Sequence, residues 1–102
     1  MKWEKRGFKQ SQELGIRVRA RRLELEISQE DLGDRSGLHR TYIGHLERGE
    51  VNPSLINILR VAAALEIDGG ELLKGLAQSL GPNSQVRVRH LPDKFHFSGR
   101  DK

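Results

Sequence analysis

Between Ser28 and Gly49 the chain reads SQEDLGDRSGLHRTYIGHLERG, and this stretch constrains the fold more than any other. Counted from Gln29 as the first position, Leu32 is fourth, Gly33 fifth, Gly37 ninth, Leu38 tenth, Ile43 fifteenth and Leu46 eighteenth. This spacing suits two short helices that cross steeply over a tight turn. The fifth position lies where the helices come closest, so a side chain beyond a methyl would push them apart. The ninth begins the turn and favours a positive φ, which glycine adopts without a Cβ clash. The fourth, tenth, fifteenth and eighteenth residues point inward and hold the pair at its angle.

Punctuation around this pair predicts five helices in all. The first runs from about Gln12 to Leu25, with Ser11 as N-cap. Leu14, Val18 and Leu23 form its apolar stripe, with Ile16 or Ala20 at the margins and Arg17, Arg19, Arg21 and Arg22 interleaved. Ser28 caps the second helix, and Asp31 completes a capping-box pattern in which Glu or Gln is more usual. The second helix ends near Ser36. The third runs from about Arg40 to Arg48, with His39 at the cap position and Gly49 as its stop. Pro53 cannot extend that helix and suits the first turn of a fourth, Ser54 to Leu65. Leu55, Ile58, Leu59, Ala62 and Leu65 make its predicted core stripe. A fifth, about Gly70 to Leu80, presents Leu72, Leu73, Leu76 and Leu80. Gly81-Pro82-Asn83-Ser84 breaks the pattern. Val86, Val88 and His90 then alternate with polar residues as a short strand or extended arm, and the final ten residues read as disordered.

The run ISQEDLGDRSGLHRTYIGHLERGEVNPSLINILRVAAALEI resembles the XRE family, the helix-turn-helix class of phage repressors and Cro proteins. Within it, SGLHRTYIGHLERGEVNPSLINI is similar to the small controller proteins of restriction–modification systems. The resemblance covers roughly residues 12 to 77. It implies an all-α, five-helix domain of the lambda-repressor kind over residues 12–80, with a short extension before it (1–11) and a basic tail after it (81–102). It further implies a sequence-specific transcriptional regulator whose third helix enters the DNA major groove.

Carried onto this sequence, the base-reading candidates are Arg40, Thr41, Gly44 and His45, with His39 and Tyr42 among the further DNA-binding positions. Arg40 can pair with guanine O6 and N7, and Thr41 can offer a hydroxyl to a base or a methyl to thymine. Gly44 has no side chain, which lets the backbone approach closely. His45 can donate to guanine or bond a phosphate, or simply face solvent. Tyr42 either packs under the helix or reaches a phosphate with its hydroxyl. Gln29, at the N-terminus of the second helix, sits where an anion is favoured. Arg48, Asn52 and Ser54 fall where the family's loop touches the DNA backbone, although Asn52 and Ser54 also serve as turn and cap. In the phage-repressor branch an arginine ending the first helix meets a glutamate ending the third. Arg22 and Glu47 match, which implies a structural salt bridge. The sequence departs from the family at Glu26, where glycine is usual in a left-handed turn, and at Gly33, where alanine is usual.

Composition narrows the function further. A chain of 102 residues with 35% hydrophobic content suggests one domain, a small helical core and no room for a second effector-binding or catalytic domain. There is no cysteine, so thiolate metal sites and disulfides are excluded, in keeping with a cytoplasmic setting. No apolar run approaches a membrane span. His39, His45, His90 and His96 lack metal-ligand spacing, and neither a nucleophile elbow nor a phosphate loop is present, so neither catalysis nor a cofactor is expected. The net charge of +4 is concentrated at the ends. Residues 1–12 and 82–102 each carry +3, and the middle carries −2, so the ends are positioned to add phosphate contacts or simply to aid solubility.

One recognition helix reads only about four or five base pairs, so a homodimer on double-stranded DNA is expected, joined through Leu72, Leu73, Leu76 and Leu80. The alternative is an antitoxin-type module that binds a toxin partner through the fifth helix or the segment QVRVRHL and DNA secondarily.

Overall fold

In the computed structural model, residues 8–80 are described. The expectations for the first seven residues of the extension, for the arm at 86–90 and for the tail at 81–102 lie outside them. The described residues are all-helical: α1 (Lys9–Glu24), α2 (Gln29–Ser36), α3 (Arg40–Glu47), α4 (Leu55–Ala64), α5 (Gly69–Leu73) and a closing 3-10 turn, Leu76–Leu80.

Helix α1 begins a turn earlier than Ser11 would suggest as a cap. Phe8 occupies the N-cap position without a side-chain bond, and Ser11 is buried inside the helix. The reason is the face it shares. Ser11, Leu14, Gly15, Val18 and Arg22 recur at helical spacing and all turn inward. Leu23 and Ile16 lie off that line and stay exposed. A similar rotation separates prediction from structure in α4. Its inner face is Ile58, Val61, Ala62 and Leu65, whereas Leu55 and Leu59 face out. The helix is apolar almost all round, so periodicity alone leaves two faces equally eligible.

The predicted fifth helix is two elements. Lys74 leaves helical dihedrals, Gly75 takes a φ of 76°, and the chain re-enters as the 3-10 turn. Leu72 is therefore a core residue, buried with Leu14, Val18, Leu32, Ile43, Leu46, Val61, Ala62 and Leu65.

Two glycines fix the position of α3. A Cβ on Gly33 would lie 2.6 Å from the Leu38 carbonyl oxygen, so even the family's usual alanine would displace the turn. On Gly15 it would lie 2.5 Å from the Glu47 carbonyl oxygen. Glycine at position five is therefore required here by a close backbone approach, not merely tolerated. The third helix is gripped from both sides, by α1 and by α2.

Candidate nucleic-acid interface

Capping sets the orientation of the second and third helices. The Ser28 hydroxyl accepts from the Asp31 N–H at 2.9 Å, and the Ser28 N–H donates to Asp31 Oδ2 at 3.1 Å, a complete capping box. Gly37 ends α2 with a φ of 77°. His39 then caps α3, its Nδ1 accepting from the Thr41 N–H at 3.0 Å. That bond occupies one ring nitrogen of His39, making the residue a cap first.

On α3, Ile43, Leu46 and Glu47 turn inward. Arg40, Thr41 and Arg48 are exposed on the other side, with His45 half-exposed among them. Thr41, His45 and Arg48 fall on one stripe, because positions 41, 45 and 48 are three and four apart, while Arg40 stands in the first turn about 100° round from Thr41. The Arg40 side chain is 66% exposed, with Glu30 3.8 Å away across the notch to α2. A surface pair so loose holds Arg40 only weakly.

Gly44 plays a different part from the one its position suggests. It is buried, and a Cβ there would meet the Arg48 guanidinium at 3.2 Å and Gln29 Oε1 at 3.6 Å. Its missing side chain makes room for two of its neighbours. Gln29, expected at a phosphate, donates its amide to Glu47 Oε1 at 3.0 Å. Glu47 is also the partner of Arg22, through Arg22 Nε at 2.6 Å and the second guanidinium arm at 3.0 Å. The pair is almost fully buried, and a third arm of Arg22 donates to the Ile27 carbonyl. The Glu47 carboxylate, first by hydrogen bonding and then by charge, raises the Arg22 pKa above its already high value, against the opposing effect of burial.

Tyr42 is half-buried, and its hydroxyl accepts from the Asn57 side chain at 3.3 Å, which ties α3 to α4. Ser54 caps α4 by accepting from the Asn57 N–H at 3.1 Å. Pro53 precedes that cap rather than lying in the first turn. Asn52 is exposed in the loop. Sequence reasoning passed over Asn57 and Glu50. Glu50 contacts both His45 and Arg48. Its only signal in the sequence was an acid placed just after the helix-stopping glycine.

Residues 18–72 match the family described as Helix-turn-helix. The chain belongs to this family. Its type is XRE, whose members are DNA-binding transcriptional regulators and not enzymes. Among curated relatives, the control protein C.SmaI of Serratia marcescens is 43% identical over 70 residues, which span 67% of this chain and 83% of that protein. Repressor protein C2 of Salmonella phage P22 is 39% identical over 83 residues, spanning 80% of this chain but only 37% of the repressor. Among solved structures, the restriction–modification controller protein C.AhdI from Aeromonas hydrophila superposes with a TM-score of 0.62 and 45% identity, over 64% of this chain and 98% of that one. The P22 c2 repressor bound to a synthetic operator gives 0.57 and 40%, over 61% and 94%. The match takes in both α2 and α3, the two helices of the motif. Among the described residues, no helix is long and apolar enough to cross a membrane, and no group of three His, Cys, Asp or Glu side chains is placed to hold a metal.

Proposed function

We propose that this chain is a sequence-specific regulator that binds operator DNA in the cytoplasm as a homodimer, with Arg40 and Thr41 reading bases from α3 and His45 bonding a phosphate. The observation that carries the reading is the outer stripe of α3, where polar and cationic side chains lie exposed on a helix clamped from behind by α1 and α2. Direct readout needs this combination of reach and rigidity. Arg48, Asn52 and the open end of α2 beside Gln29 supply phosphate contacts that set register. Gln29 keeps a second amide hydrogen for this purpose while the first holds Glu47. Repressor and controller relatives, one of them solved on a synthetic operator, support the same reading.

Selection of bound duplexes from a random pool tests it. A selected site with two related half-sites is expected, and Arg40→Ala should weaken binding by about 1–3 kcal/mol while relaxing preference at one base pair per half-site. Unchanged affinity and selectivity would remove Arg40 as a base reader. The toxin-binding alternative rests largely on residues 85–91, outside the described residues, and no observation favours it.

A further inference from the structure

Glu50 lies beside Arg48, which the DNA-binding reading above assigns to a phosphate. Gly49 leaves α3 with a φ of 75°, and the Glu50 N–H turns back to donate to the His45 carbonyl at 2.9 Å. This turn brings the Glu50 side chain against the end of the recognition helix. One carboxylate oxygen lies 2.7 Å from His45 Nδ1, and the other accepts from Arg48 Nε at 3.1 Å. Arg48 also approaches His45 Nδ1, at 3.3 Å. When Nδ1 donates to Glu50 it cannot also accept from Arg48, so the carboxylate is what holds the three together. The other nearby acid, Glu47, is buried and committed to Arg22 and Gln29. All three members of the surface cluster are about half-exposed, so the pairing is weak enough to exchange.

We infer that Glu50 is a built-in competitor for the DNA backbone, holding Arg48 and His45 until a phosphate displaces it. This rests on the DNA-binding reading above and deepens it. The exchange swaps one oxyanion for another on the same two donors, so it lowers affinity for every duplex without favouring any sequence. It also reduces the net charge the protein brings to the backbone at that point, and with it the salt dependence. The competitor is therefore a restraint on non-specific binding, and the turn that terminates the recognition helix supplies it.

Glu50→Gln in the full chain tests this by titration against the selected operator and a scrambled duplex at several salt concentrations. Both affinities should rise by a similar factor, roughly two- to five-fold, as expected for release of an exposed ion pair. The plot of log affinity against log salt should steepen by about one. In a His45→Gln/Arg48→Gln background the gain should vanish, because the competitor has nothing left to hold. An equal gain in that background would mean simple repulsion between Glu50 and DNA and would overturn the proposal. So would an unchanged salt slope, or a gain confined to the operator. If the wild-type chain binds no duplex even at low salt, the DNA-binding reading fails as well. Binding that ignores Glu50→Gln sinks only the competitor.

Discussion

At the residue scale, the buried Arg22–Glu47 pair carries the most weight. Its geometry is bidentate and the carboxylate takes a third hydrogen bond from Gln29, so few lone pairs go unanswered. Among the described residues, no buried side-chain nitrogen or oxygen lacks a hydrogen-bond partner. Removing one member leaves the other charge stranded in the interior, which typically costs about 3–5 kcal/mol. Arg22→Met and Glu47→Leu should each destabilise on that scale, and the double variant should lose clearly less than the sum of the two. Denaturant melts of the four proteins give the coupling, and a coupling of zero would remove the pair from the account. The partners were legible in the sequence because a family pattern pairs them. Gln29 as a third member was not, since a glutamine beside a helix start suits a phosphate as well as a carboxylate.

At the element scale, the helices share one way of ending. After α1, Ile27 donates to Arg22 and Glu26 to Leu23; after α3, Glu50 donates to His45 and Gly49 to Leu46; after α4, Ile67 donates to Ala62 and Glu66 to Ala63. Each is a left-handed cap followed by its reach-back bond. Glycine fills the left-handed position after α3, but glutamate fills it at Glu26 and Glu66, with φ values of 59° and 61°. The strain at Glu26 was readable in advance, because glycine is the usual residue there. Glu66 gave no such signal, because nothing in its local sequence sets it apart. Glu26→Gly and Glu66→Gly should each raise stability by roughly 0.5 kcal/mol, the relief of about 1 kcal/mol of left-handed strain less the extra entropy glycine loses. A lower denaturant midpoint for both would contradict the strain. The start of α2 carries a pH signature of its own. The Ser28 N–H, followed by its hydroxyl, holds the Asp31 carboxyl below its usual pKa. A carboxylate depressed in the folded state adds stability that is complete above its unfolded pKa of about 3.9 and fades as pH falls through the lower folded value. Melts between about pH 5 and 2 should show a shallower acid loss for Asp31→Asn than for the parent. An identical slope would leave the capping box without an electrostatic share. Capping and turn chemistry read well from sequence because they depend on a few adjacent residues. Which face of α4 turned inward did not, because Leu55, Ile58, Leu59, Val61 and Leu65 satisfy more than one helical stripe.

At the scale of the whole molecule, the displaced faces decide where a second copy would dock. The expectation placed the dimer on four leucines of one long helix. Leu72 is now spent in the core, Leu76 is half-buried against it, and Leu80 lies where side chains are not described. Leu73 alone of the four is known to be exposed, at 37%. The larger apolar surface is on α4, where Leu55, Ile56 and Leu59 are 64%, 57% and 45% exposed within an arc of about 100°. Leu59 also reaches Gly69 at the start of α5, so this surface is continuous with the short fifth helix. Water-exposed leucine and isoleucine side by side on one helix favour burial by a partner. A two-fold copy there would supply the second recognition helix that the proposed reading requires. Ile56→Glu should then convert a dimer to a monomer in sedimentation equilibrium and weaken operator binding, while leaving the helical circular-dichroism signal unchanged, because the side chain is 57% exposed and contributes little to the core. Leu73→Glu measures how much of the fifth-helix expectation survives. A dimer that persists in Ile56→Glu but dissociates in Leu73→Glu would return the interface to α5, and a monomeric parent at micromolar concentration would remove the homodimer altogether.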